Sequence, residues 1–262
     1  MQIADKVVMV TGGAHGIGRA LCERFAREGA KGVCVVDLDV DAGEQLAAAI
    51  GGMFVHCDVA DESQVQRAIA RAEERFGPID LFCGNAGVAF RDGPGSVAGS
   101  TNAEWTKTWE VNVMAHVYAA RVLLPAMIAR GSGYFLITAS AAGLLTQVGS
   151  SAYSVTKHGA VAFAESIAIA HADQGIGVSV LCPQGVWTNM TRWVKESPRG
   201  GDAMQQPEQV AETVLQGLAE ERFLILSHPV TKEYIQNKAR DYDGWIRGMQ
   251  RYRKRLREQA RR

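Results

Sequence analysis

The sequence predicts an α/β fold, a single-domain, doubly wound (Rossmann-type), mostly parallel sheet of seven strands with helices on both faces. Three observations carry that reading. Short β-branched runs alternate with longer amphipathic stretches, the first run leads directly into a glycine-rich turn that opens a helix, and the second run ends on a carboxylate. A chain of 262 residues with 47% hydrophobic and 21% charged residues holds enough apolar material for one sizeable core, so one domain over 1–262 is expected.

Val7 to Val10 is the first strand, Gly18 to Glu28 the first amphipathic helix, Val33 to Val36 the second strand and Asp41 to Ile50 the second helix. Met53 to Cys57 follows as a strand, and Asp61 with Gln64 three residues on reads as a capping box that opens the next helix. Ile79 to Cys83 is the fourth strand. Thr101 and Glu104 repeat the start signal and predict one long helix through Asn112 to Met127, before a strand over Tyr134 to Thr138. Ser151 to His171 is rich in Ala, Val and Ile with few charges, the pattern of a helix covered by the sheet and by another subunit. Val178 to Leu181 and Phe223 to Leu226 complete the strands. The aperiodic segment 188–206, with Pro198, Gly200 and Gly201, reads as a mobile substrate lid, and 231–262 as a long polar helical extension.

Equal numbers of basic and acidic residues, 28 each, leave no overall field to gather nucleic acid or anionic lipid, which favours a small-molecule partner. The N-terminus enters its strand without the hydrophobic region of a signal peptide, and no uninterrupted apolar run has the length of a membrane span, so a cytoplasmic protein with no membrane partner is expected. Five cysteines without a CxxC pair read as reduced, packed thiols. His116, His158, His171 and His228 have no ligand spacing, so no metal is expected. The basic run Arg251 to Arg257 reads as a solvated helix end, a subunit contact or an anion site.

Thr11-Gly12-Gly13-Ala14-His15-Gly16-Ile17-Gly18 lies between a strand and a helix, where glycine lets the backbone turn tightly and approach a pyrophosphate favoured by free N–H groups and the helix dipole. Gly12, His15, Gly16, Ile17 and Gly18 are the candidate contacts. Asp37 ends the second strand 19 residues beyond Gly18, near the spacing of a ligand for the adenosine ribose. Its carboxylate accepts from both ribose hydroxyls and repels a 2′-phosphate, and positions 12–18 hold no Arg or Lys to offset that repulsion, so NAD is favoured over NADP. The competing reading of Asp37 is a helix cap. Tyr153 and Lys157, at i and i+4, share one helix face.

These residues, together with Asn85-Ala86-Gly87, Ser140 and Tyr153-Ser154-Val155-Thr156-Lys157, resemble the short-chain dehydrogenase/reductase family over about residues 3 to 190, with the serine 13 residues before the tyrosine as that pattern requires. The resemblance implies nicotinamide bound at the carboxyl edge of the sheet and a homodimer or homotetramer. It implies that Tyr153 acts as acid and base, made acidic by the Lys157 ammonium and the positive nicotinamide, and that Ser140 orients an alcohol or ketone substrate. Lys157 would also hold the nicotinamide ribose. Asn112 would support a water-linked proton path or satisfy backbone in a packed helix, and Asp58 with Val59 would meet the adenine, Asp58 otherwise being a helix cap. Asn85, Ala86 and Gly87 would border the cofactor, although Gly84 stands where the family often has asparagine. Pro183, Val186 and Thr188 match in part and would close over the nicotinamide end, with Gln147 and Gln184 toward the substrate and Trp193 in the pocket wall. The rival readings are an NADPH-linked carbonyl or 3-oxoacyl reductase and a non-catalytic NAD-binding sensor or scaffold.

Overall fold

The computed structural model describes residues 1–93, 96–192, 194 and 200–259. The chain alternates strand and helix: β1 (Val7–Thr11), α1 (Gly16–Arg27), β2 (Gly32–Asp37), α2 (Val40–Ile50), β3 (Met53–His56), α3 (Glu62–Phe76), β4 (Leu81–Gly84), α4 (Asn102–Trp109), α5 (Ala115–Ala129) and β5 (Gly133–Thr138). It continues with α6 (Ala142–Leu145), α7 (Ser151–His171), β6 (Ile176–Leu181), α8 (Pro207–Ala219), β7 (Leu224–Ile225), α9 (Val230–Arg240) and α10 (Tyr242–Gln259). The seven strands run in the order β3-β2-β1-β4-β5-β6-β7 and every pairing is parallel, so the expected "mostly parallel" sheet is wholly so. The winding direction reverses between β1 and β4. Ligands of open parallel sheets sit at that switch, beyond the carboxyl ends of the strands.

Two apolar layers cover the sheet. On one face Val65, Ile69, Ala119, Leu123, Ala160 and Ala164 bring down α3, α5 and α7; on the other Leu21, Phe25, Leu46, Val210 and Val214 bring down α1, α2 and α8. Burial on both faces is why the strands read as continuous apolar runs instead of alternating ones: all five residues of β1 are buried. Each fully buried Leu, Ile or Phe contributes about 1.5–3 kcal/mol relative to exposure.

Three details depart from the sequence expectations. The helix predicted from Thr101 to Met127 is interrupted by a π-helical turn at Glu110–Met114, which widens the spiral where Asn112 points inward. The capping box at Asp61 is only half formed: its carboxylate caps Ser63 and Gln64 N–H groups, but the Gln64 side chain bonds the Asp61 carboxylate and accepts from the Asp58 N–H at 3.0 Å. Thr101 and Glu104, by contrast, form the full reciprocal box. The polar extension is two helices, broken at Asp241, whose side chain caps the Gly244 N–H at 2.8 Å.

The predicted lid at 188–206 falls partly outside the described residues, Trp193 and 195–199 included. Its described ends hold short 3-10 turns at Asn189–Thr191 and Gly200–Asp202 and a parallel bridge between Val186 and Gln205. Asn102–Ala129 is long and apolar enough to cross a membrane by length and composition, and half of its apolar window is buried within the fold. All five cysteines are free and buried.

Candidate active site

The glycine turn after β1 is built from contacts that exclude side chains. Gly12 has φ +63° and lies so near β4's end that a Cβ would stand 2.8 Å from the Ala86 Cα; a Cβ on Gly18 would overlap the Gly12 carbonyl oxygen. Asn85 locks this approach: its side-chain amide donates to the Thr11 and Gly12 carbonyls at 3.1 and 3.2 Å, and the Asn85 and Ala86 N–H groups donate to the Thr11 hydroxyl. Ile17 packs partly buried against the α1–α2–α8 layer. The result is a cradle of backbone at the N-terminus of α1, which suits a pyrophosphate.

Asp37, at the end of β2, faces the same turn. Its carboxylate accepts from the Ala14 N–H at 3.0 Å and from the Leu38 and Asp39 N–H groups at 2.7 and 3.2 Å, while the neighbouring Asp39 caps α2. The helix-cap reading therefore belongs to Asp39. His15 pairs with Asp39 at 2.8 Å, and Arg19 is taken up by Glu23 one turn along α1 at 2.9 Å, so that cation is directed along the helix. Asp58 caps the Ala60 N–H and pairs with Lys107 at 3.0 Å; burial pushes its carboxyl up, but those two partners outweigh burial and hold it below its ordinary range. Val59 is buried beside it.

The second half of the site stands at the ends of β5 and β6. Ser140 follows β5, Tyr153 and Lys157 project from the first turns of α7, and all three are buried. Lys157 Nζ lies 5.7 Å over the Tyr153 ring and donates to the Thr138 carbonyl at 2.8 Å. Asn112, fully buried at the π turn, accepts from the Val88 N–H and donates to the Val88 carbonyl, each at 2.9 Å, and donates to the Thr156 hydroxyl at 3.1 Å. This clamps β4's end to α7. A Cβ on Gly87 would sit 3.3 Å from the Asn112 Oδ1 and 3.4 Å from Lys157 Nζ, so the three meet in one space.

Burial drives both members of the tyrosine–lysine pair toward their neutral forms. Desolvation lowers Lys157 to about 8, and it raises the Tyr153 phenol, against a hydrogen bond from Ser140 that pulls it down. In the chain alone desolvation is the largest influence on the Tyr153 phenol, whereas the expected acidification combines the Lys157 ammonium with the positive nicotinamide of a bound cofactor.

Pro183 accepts from the Ala141 N–H at 2.8 Å and from Ser140 at 3.4 Å, fixing the serine loop. Thr188 comes up against the glycine turn, its Cγ2 2.9 Å from where a Gly16 Cβ would stand, and Val186 is buried below it. Gln184 turns to α9, donating to Thr231 at 2.8 Å, and Gln147 is exposed while its N–H is held by Ser154. Sequence reasoning missed the partners from the far end of the chain: Thr231 on Gln184, His228 on the Ala203 carbonyl, Tyr234 on Asp202, and Lys238 on the Leu144 carbonyl in α6. They carried no local signal, being separated from their partners by 25 to 94 residues. Among the described residues, no cluster of three or more His, Cys, Asp or Glu could hold a metal ion.

A wholly parallel sheet with a glycine cradle at its switch point and a buried Ser-Tyr-Lys set at the same edge defines a dinucleotide-dependent oxidoreductase fold. The profile of the family described as short chain dehydrogenase matches residues 6–199. The chain belongs to this family. It is 38% identical over 238 residues, 87% of this chain and 85% of the relative, to 1-deoxy-11-beta-hydroxypentalenate dehydrogenase of Streptomyces exfoliatus, and 32% identical over 222 residues, 82% and 80%, to levodione reductase of Leifsonia aquatica. A short-chain dehydrogenase/reductase of Burkholderia phymatum, solved in complex with NAD, superposes with a TM-score of 0.83 over 93% of this chain and 96% of that one at 26% identity.

Proposed function

We propose that the chain is an NAD(H)-dependent oxidoreductase that interconverts a secondary alcohol and a ketone, with Tyr153 as the acid and base. The observation that carries the reading is the meeting at one sheet edge of buried Ser140, Tyr153 and Lys157 with a backbone cradle into which no Cβ would fit. Relatives named as dehydrogenases of hydroxylated compounds, and one named as a reductase, support the reaction class. Asp37 supports NAD: it lies against the cradle with Arg19 engaged elsewhere, so a 2′-phosphate would meet a carboxylate and no free cation from the turn.

Gly12, Gly16, Gly18, Asp37, Asn85 and Thr188 would hold the dinucleotide, which accepts or returns the hydride when bound. The protein's own part is proton transfer and orientation. In oxidation Tyr153 takes the hydroxyl proton of the substrate while the carbon-bound hydrogen departs with its electron pair; in reduction the phenol gives that proton to the nascent alkoxide. Ser140 donates to the same oxygen and sets its angle. Lys157, held by the Thr138 carbonyl, supplies the positive charge that favours phenolate over phenol. We place the enzyme in the cytoplasm as a homodimer or homotetramer, without nucleic-acid or membrane partners. Val155 and Ile169, 49% and 82% exposed on α7, support a subunit contact there.

The decisive experiment is Tyr153→Phe assayed with secondary alcohols and ketones. NAD affinity is expected to hold while turnover falls by a factor of about 100 or more; undiminished turnover would remove Tyr153 from the chemistry. Comparing NADH with NADPH in the wild type tests the cofactor, and a strong NADPH preference would overturn the reading of Asp37.

A further inference from the structure

His228 stands between the end of β7 and the start of α9, 2% exposed, and both of its ring nitrogens are engaged. Nε2 lies 3.0 Å from the Ala203 carbonyl, while Nδ1 lies 2.8 Å from the Ser227 hydroxyl and 3.4 Å from the Gln184 N–H. A carbonyl only accepts, so Nε2 carries the proton; a backbone N–H only donates, so Nδ1 is the acceptor. One neutral tautomer satisfies all three contacts. A protonated ring does not, because its Nδ1–H would face the Gln184 N–H as a second donor. The Ser227 hydroxyl can turn to accept that proton, and the amide cannot.

These contacts join pieces of chain that meet only in the fold. Residues 203–206 run beside 184–187: the Gln205 N–H donates to the Gly185 carbonyl at 3.0 Å, the Trp187 N–H to the Gln205 carbonyl at 2.9 Å, and the Gln205 side chain to the Ser227 carbonyl at 2.8 Å. Gln184 in turn adjoins Pro183, whose carbonyl holds the Ala141 N–H and the Ser140 hydroxyl. His228 is thus tied on one side to the residue next to the serine clamp and on the other to the chain returning at Ala203. Burial pulls the imidazole below its ordinary 6.5, against the Ala203 carbonyl and the Asp202 charge, which act the other way. Asp202, on the returning chain, is itself bonded by the Tyr234 hydroxyl of α9, and the side chains that touch or adjoin the ring from the ends of β6 and β7, Gln184 and Ser227, carry no charge.

We propose that neutral His228 is a positioning residue for the organic substrate: it ties the chain at 203–206 to the backbone of Gln184 and so sets the substrate side of the site, and protonation of its ring in acid releases Gln184 and loosens that side. The ring takes no part in proton transfer to the substrate. It acts through Gln184 and Pro183 on the ground that Ser140 stands on, and through Ala203 on the chain that flanks them. The role in substrate binding rests on the alcohol–ketone reading given above.

His228→Gln keeps an amide donor able to reach the Ala203 carbonyl and an acceptor beside it but takes up no proton, whereas His228→Leu offers neither. Ketone reduction is the direction to assay, since the protonated Tyr153 phenol is then the working form and acid does not disable it. Between about pH 7.5 and pH 5.5 the wild-type KM for the ketone should rise by about fivefold, with the affinity for NADH unchanged. In His228→Gln the KM should stay level over the same range, and in His228→Leu it should be raised at both ends. Amide hydrogen exchange over 183–188 and 200–206 gives a reading without substrate: it should be faster in wild type than in His228→Gln at about pH 5.5 and equal in the two at about pH 7.5. Exchange that is equal at both pH values, or a wild-type ketone KM that does not rise with acid, overturns the proposal. Because exchange is read without turnover, its failure is separable from a failure of the reaction class, which Tyr153→Phe tests.

Discussion

The turn between β1 and α1 and the segment beyond β6 close over the same sheet edge, but they are held in unlike ways. The turn is fixed by backbone proximity: Gly12 against Ala86, Gly18 against the Gly12 carbonyl, and an Asn85 amide bonded to two carbonyls. The far segment is fixed by side chains reaching across the chain, Gln184 to Thr231, Tyr234 to Asp202 and Lys238 to Leu144. Backbone contacts leave no room for exchange, whereas a side-chain hydrogen bond can be replaced at a net cost of about 1 kcal/mol. The difference teaches that the cofactor end is nearly invariant in shape and the substrate end is open to tuning.

The comparison breaks most sharply at Gly18. Gly18→Val drives a side chain into the Gly12 carbonyl, and NAD affinity measured by calorimetry should fall by about 100-fold, the effect of roughly 3 kcal/mol of overpacking. Asp37→Ser removes the carboxylate and with it the acceptor of the Ala14 N–H, leaving the glycines in place; the ratio of kcat/KM for NADH over NADPH should drop by about tenfold, one unit-charge interaction of about 1.4 kcal/mol. Thr231→Val probes the far segment. Losing the bond to Gln184 should change KM for the organic substrate by about fivefold and leave the affinity for NAD as it was. A loss of NAD affinity in that variant would mean that the two regions are coupled after all.

The smallest effect is on stability. His116 has an ordinary value of 6.5 and is lowered to about 3 in the fold, so the unfolded chain takes up a proton that the native state refuses. Its contribution to stability is complete above pH 6.5 and is lost progressively as the pH falls toward 3. Thermal unfolding should therefore show Tm dropping by a few degrees between about pH 7 and pH 5, with a flatter profile in His116→Leu.

Local signals located what local physics builds. The succession of the seven strands, the helices α1, α2, α3 and α7, the Thr101 capping box and the glycine turn were legible because each depends on residues a few positions apart, whereas α6 and α8 were not foreseen and the Asp61 box formed only by half. The π turn was not legible either, since its local sequence carries no signal that separates it from the helix around it; in the fold it coincides with the hydrogen bonds of Asn112 to Val88 and Thr156, residues far away in the chain. His116 left only an indirect trace, the glycine at position 84 where the resembled pattern has asparagine; its reason is a side chain 32 residues further along the chain.

By itself the sequence determined the alternation of strands and helices, the glycine turn and the spacing of Ser140, Tyr153 and Lys157, because apolar period, backbone freedom and helix pitch are properties of neighbouring residues. Only the tertiary structure decided the protonation balance of Tyr153 and Lys157, the partner of Gln184 and the enclosure of His116. Desolvation and long-range hydrogen bonding depend on what the folded chain places around a group, and no stretch of sequence contains that surrounding.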